Sequence, residues 1–177
     1  VKQLIQPFLI LLFVALSNAA FSQLNIVTGQ TAQDYAEFIA GAGVTVSNAS
    51  ISGSPDAVAS FTTGGTATGL GITSGVIISS GNAADAGGAE PGIDASTGHG
   101  LPGNAWLEAQ SGVPSNDAVI LEFDFVPNAD FAQFKFIFGS EEYPGFVCED
   151  FNDLFAITIE GVTTPLPLTN IGSLFAQ

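Results

Sequence analysis

From Ala118 to Val126 the chain alternates, placing Leu121, Phe123 and Phe125 on one face and Glu122 and Asp124 on the other. A period of two sends successive side chains to opposite faces of a strand, so this run can bury one side only within a β-sheet. The same pattern recurs in Asp130–Phe138, where Phe134, Phe136 and Phe138 fall together. Pro127-Asn128-Ala129-Asp130 between the two runs is a turn by composition. These features predict a hairpin pairing Val126 with Phe131 and setting Glu122 opposite Lys135 across the ladder. Val44–Val46 and Ala57–Thr62 have strand composition, and Ile72–Ser79 reads as a buried strand between Gly71 and Gly81. Leu154–Ile159 is apolar on both faces, the pattern of a central strand. Ten of the 15 Phe lie from residue 123 onward, which assigns the aromatic core to the C-terminal half.

Helical signals are few. Thr31 followed by Asp34 reads as a capped start, with Tyr35, Phe38 and Ile39 at helical spacing and Gly41 and Gly43 as the stop. Residues 82–117 carry no strand pattern. Within them Asn104 is placed to cap a turn over Asn104–Gln110, with Trp106 and Leu107 expected to pin the loop to the core. Gly 21, Met 0 and 11% charged residues argue against a helical bundle. The fold class expected is all-β, a β-sandwich or jelly-roll-like domain with one or two short helices.

The first residues read differently. Lys2, the apolar run Phe8–Leu16 and the small residues Ala20 and Ser22 match a secretory signal peptide cleaved between Ser22 and Gln23. The apolar run is less than half of the roughly 20 residues that a membrane span requires. Residues 1–22 are therefore assigned to the signal and 23–177 to one exported β domain, with no membrane insertion of the mature chain. The ending Leu174–Gln177 shows no cap, tail or sorting signal, and the domain reads as truncated there.

With 17 Asp and Glu against two Lys and Arg, the formal net charge is −15. Nucleic-acid binding and polybasic membrane attachment both need the cations that this chain lacks. Removal of Lys2 with the signal would leave Lys135 as the only mature cation. Such a surface repels polyanions and attracts divalent ions. Cys148 is the only cysteine, so no intrachain disulfide forms within this sequence.

The usual catalytic patterns fail in turn. A single His rules out a paired-His metal site. Gly-x-Ser-x-Gly is absent. Gly98–Gly103 matches Gly-x-Gly-x-x-Gly, but it follows no strand pattern and contains Pro102, so it reads as a chance match. His99 and Cys148 would make a base and nucleophile only if the fold joined them. Asp85, Glu90 and Asp94 in the long loop are either an ion site or solvated acids.

One cluster concentrates charge. Glu141, Glu142, Glu149, Asp150 and Asp153 crowd between two apolar runs with no cation among them. Carboxylates held so close repel unless a metal or shared protons compensate. Carboxylate and Asn amide oxygens suit Ca²⁺, although the spacing is not that of an EF-hand. Glu142, Asn152 and Asp153 are the leading ligands, with Glu141 and Asp150 next. The alternative is a solvated acidic loop in which Asn152 and Asp153 only make a turn. Glu141 and Glu142 are adjacent, so on a strand they would face opposite ways, a poor pair for glycoside hydrolysis.

Phe138-Gly139-Ser140-Glu141-Glu142-Tyr143-Pro144, with Phe146-Val147 and then Phe151-Asn152-Asp153-Leu154-Phe155, resembles the signature of the choice-of-anchor L domain of bacterial surface proteins. Gly43–Asn48, Leu70–Gly81 and Ala118–Phe125 resemble its other segments. The resemblance implies an exported domain attached to the envelope by devices that differ between members. Asn104 stands where the family pattern places an acid after Gly103, and Trp106 departs from it too. The combined expectation is a secreted, envelope-associated binding or adhesive module, steadied by Ca²⁺, whose ligand is a carbohydrate or a protein. A carbohydrate-active hydrolase and a passive spacer are the alternatives. An ice- or surface-binding face over Thr62–Ser80 would need regularly spaced Thr, and the spacing is irregular.

Overall fold

The structure is a computed structural model that describes residues 24–65, 69–87, 97–128, 134–140, 153–159 and 169–170. Its N-terminal part is organised around one helix, α1 (Ala32–Ala40). Thr31 caps it through a reciprocal box: the Asp34 amide donates to the Thr31 hydroxyl at 3.1 Å, and the Thr31 amide donates to the Asp34 carboxylate at 3.0 Å. Two amides that a helix start leaves unpaired are thereby satisfied. Gly41 ends the helix at φ 67°, a conformation that favours glycine.

Two antiparallel sheets flank this helix. The first has the order β1 (Asn25–Thr28), β3 (Val58–Thr62), β4 (Ser74–Ile78). The second pairs β2 (Val44–Ser52) with β5 (Ile120–Pro127). Helix α1 touches strands of both. A short antiparallel pair, β6 (Leu154–Phe155) with β7 (Thr169–Asn170), completes the strands among the described residues. Three-residue and five-residue 3-10 turns at Pro55–Ala57 and Ala83–Gly87, and helix α2 (Ala105–Ser111), fill the connections. The mainly β composition with two short helices is as expected.

The β2–β5 register explains an apparent conflict in the sequence. Val46 and Ile51 are an odd number of residues apart, so a regular strand would send them to opposite faces. The register shifts between Ser47 and Ser50, so that Asn48 and Ala49 together face a single residue of β5. Asn48 takes φ 53°, and its Nδ2 donates to Asp124 Oδ2 at 2.7 Å. This bulge restores phase: Val46 lies opposite Phe125 and Ile51 opposite Leu121, on the half-buried face.

Four expectations are corrected here. Residues 134–138 form no strand, so Lys135 is in no ladder with Glu122; the partner that β5 does have is β2, which sets Ser50 opposite Glu122 and Thr45 opposite Val126. Residues 129–133, which include Phe131 and part of the expected turn, lie outside the described set. The two runs still meet through their rings, with Phe125 and Phe134 edge to face at 6.4 Å. Second, the buried apolar residues among those described are Tyr35, Ala36, Ala57, Val58, Ala59, Phe61 and Ala83, all in the N-terminal half, with Ser54, Ser60 and Thr63 buried beside them. Small side chains on α1 and β3 allow close packing, whereas Phe134 and Phe136 remain 39% and 59% exposed. Third, among the described residues β4 is an edge strand with a half-buried centre, because β3 occupies the middle of its sheet. Fourth, only Leu154–Phe155 of the expected central strand is in a ladder, and among the described residues β7 is its single neighbour.

Tyr35 ties the helix to the sheet. The Ser79 amide donates to the Ala57 carbonyl, so the next carbonyl along, that of Val58, points toward the β1 side. There β1 has already ended at Thr28, opposite Ala59. The Tyr35 hydroxyl takes the vacant place, donating to the Val58 carbonyl at 3.0 Å and accepting from the Gln30 amide at 3.2 Å.

Candidate functional site

The ends of the acidic stretch are brought together by aromatic packing. Phe136 and Phe155 are 19 residues apart in the chain, yet their rings lie 5.5 Å apart, centroid to centroid. Phe134 continues the contact to Phe125 and thereby to the β2–β5 sheet. Leu154 and Phe155 are fixed from the other side by Asn170 and Thr169 of β7. The described residues on either side of the acidic stretch are thus held close to each other by apolar contacts.

Of the five expected metal ligands, Asp153 is half-buried beside the start of β6. Glu141, Glu142, Asp150 and Asn152 lie outside the described residues, as do Glu149 and Cys148. Among the described residues no three His, Cys, Asp or Glu side chains converge on one point. The donor set is chemically suited to Ca²⁺, since it is made wholly of carboxylate and amide oxygens.

Two acids of the long loop, Glu108 and Asp117, hold the loop's own backbone. Asp117 adopts φ 51°, and its carboxylate accepts from the His99 amide at 3.2 Å and the Leu101 amide at 2.6 Å. The Asp117 amide in turn donates to the Leu101 carbonyl, and Pro102 bridges to Asn116. The amides of His99 and Leu101, which a phosphate-binding glycine loop would have to offer, are therefore already taken. That agrees with reading Gly98–Gly103 as a chance match. His99 Nε2 is buried and has no hydrogen-bond partner among the described residues.

Helix α2 follows this clasp. Asn104 Oδ1 accepts from the amides of Trp106 and Leu107 at 3.0 and 2.9 Å, so the Asn that replaces an expected acid acts as a full N-cap. Glu108 Oε1 accepts from both the amide and the hydroxyl of Ser115, closing the loop after the helix. Trp106 does not pin the loop: it is 47% exposed, and half-buried Leu107 packs inward instead. Asp85 is exposed on its 3-10 turn, while Glu90 and Asp94 lie outside the described residues. Sequence reading missed the roles of Glu108 and Asp117. The available hint was the turn composition of Ser115-Asn116-Asp117, since Asp tolerates the left-handed region and bonds nearby amides.

The Asp34 carboxyl is held below the ordinary value, first by the Thr31 side-chain hydrogen bond and then by the Thr31 backbone amide. No helix among the described residues is long and apolar enough to cross a membrane.

Comparison with protein-family models finds a match over residues 23–174 to the family described as the choice-of-anchor L domain. Neither the curated proteins nor the solved structures provide a match.

Proposed function

The chain belongs to the choice-of-anchor L family, and from that premise we propose that it is a secreted, envelope-associated binding module whose acidic loop is held by Ca²⁺. The family assignment makes the domain a cell-surface module in the coarse sense. The family match begins at Gln23, the first residue after the signal cleavage expected from sequence, which supports export. We read its three-stranded and two-stranded sheets as the two layers of a sandwich, linked by α1.

The observation that carries the Ca²⁺ reading is the contact between Phe136 and Phe155. It closes the ends of a segment that holds Glu141, Glu142, Glu149 and Asp150 and runs up to Asp153, with no Lys or Arg inside it. Closing such a loop confines its anions and raises their mutual repulsion. Glu142, Asn152 and Asp153 would hold the ion first, with Glu141 and Asp150 completing the shell. The ion supplies charge neutralisation and fixes the loop. Adhesion then follows from a steadied surface, and no chemical step is required.

Thermal melting of the mature domain in Ca²⁺ and in chelator tests this. Binding to the folded state alone adds about 2.7 kcal/mol at a hundredfold excess over Kd. For a domain of this size that corresponds to roughly 5–10 °C. Glu142→Gln with Asp153→Asn should remove the shift. Equal midpoints in Ca²⁺ and chelator would eliminate the metal and leave a passive spacer as the better description.

A further inference from the structure

Helix α2 presents an outward face with an unusual make-up. Ala105, Trp106, Ala109 and Gln110 are exposed, whereas Leu107 is half-buried and Glu108 is occupied with Ser115. Trp106 and Gln110 are four residues apart and so lie one above the other along the helix, with Cβ atoms about 5–6 Å apart. The small Ala105 and Ala109 leave the indole uncovered. No side chain on this face carries a charge.

From this we infer that Trp106 and Gln110 form a binding site for a neutral polysaccharide, the indole stacking on a sugar ring and the Gln110 amide hydrogen-bonding its hydroxyls. The idea rests on the reading of the domain as a surface binding module and names its ligand class. Three physical points favour it. The indole face is electron-rich and attracts the polarised C–H groups of a pyranose, while the free indole N–H and the amide provide donors and an acceptor. The platform is preformed: Asn104 caps the helix, the Gly112 amide (φ 75°) donates to the Glu108 carbonyl at 2.8 Å, and Glu108 and Asp117 clasp the flanking loops. Little ordering cost is therefore left for the binding step.

Charge selects the occupant. A net charge of −15 repels an anionic glycan, and the uncharged face offers nothing to a cationic one. A protein partner would look for a contiguous apolar patch of a few hundred Å² or more. Here one large apolar side chain is flanked by two alanines and an amide.

Affinity electrophoresis tests this with the whole mature domain, in gels cast with hydroxyethylcellulose, laminarin or dextran as neutral glucans and with dextran sulfate as the anionic control. At least one neutral glucan should retard the wild type and dextran sulfate should not. Trp106→Ala should weaken retardation about tenfold or more, as expected for an aromatic anchor. Trp106→Phe should keep part of it, and Gln110→Ala should weaken it severalfold. The exposed position of Trp106 should leave the melting midpoint of each variant unchanged, and that is measured alongside. Wild-type migration unaffected by all three neutral glucans, or retardation that survives Trp106→Ala, overturns the inference. Trp106 is the only Trp, so quenching of intrinsic fluorescence by the same polymers gives a second readout at this position. The Ca²⁺ reading is judged separately: a chelator-sensitive midpoint without glucan retardation removes only the glycan, and the reverse removes only the ion.

Discussion

Replacing Tyr35 with Phe isolates the contribution of one hydroxyl. The ring is 1% exposed, and the substitution keeps its shape, so no cavity term enters. What is lost is a donor to the Val58 carbonyl and an acceptor for the Gln30 amide. The Val58 carbonyl sits one position beyond the end of β1 and has no strand amide to turn to. Leaving a buried carbonyl unsatisfied costs about 1–3 kcal/mol. The Gln30 amide is only partly buried, so water can replace its partner and add at most about 1 kcal/mol. The expected loss is therefore about 1–4 kcal/mol, a large share of the roughly 5–15 kcal/mol typical of a domain. Urea unfolding measures it as a lower midpoint at unchanged slope, since the surface exposed on unfolding does not change. A loss below about 0.5 kcal/mol, the level of an ordinary surface substitution, would refute the claim that this hydroxyl completes the sheet.

Two further predictions concern local structure. Asp117→Ala removes the acceptor for the His99 and Leu101 amides and places Ala at φ 51°, so it should destabilise by about 1–3 kcal/mol and expose residues 97–117 to proteolysis; limited digestion followed by mass spectrometry locates the cuts. The lowered Asp34 pKa means that its stabilising contribution is present above the unfolded-state value and is lost as pH falls through the lower folded value. Thr31→Ala should return the Asp34 carboxyl toward its ordinary range and flatten the acid limb of the stability curve, and carboxyl NMR titration checks both.

The α1 capping box was legible because Thr31 and Asp34 are three residues apart and satisfy each other without help. The Asn104 cap was legible for the same reason. The proposed ligands stand out in the sequence only as a crowd of like charges, and Asp153 is the one that falls within the described residues. The Asp117 clasp was not, since it joins amides 16 and 18 residues away and nothing local announces them. Nor was the role of Trp106, whose type suggested burial while its place on α2 turned it outward.

By itself the sequence determined the two capped helices and the location of β2 to β5, because periodicity and caps act within a few bonds of the residues that carry them. It also determined the overwhelming negative charge and the family. Tertiary structure alone decided which strand takes which neighbour. The partner of β5 is β2, about 70 residues earlier in the chain, whose bulge at Asn48 brings Val46 and Ile51 onto the same side. Pairing joins segments far apart in sequence, and its register depends on the apolar surface that the two strands cover together, which neither segment contains alone.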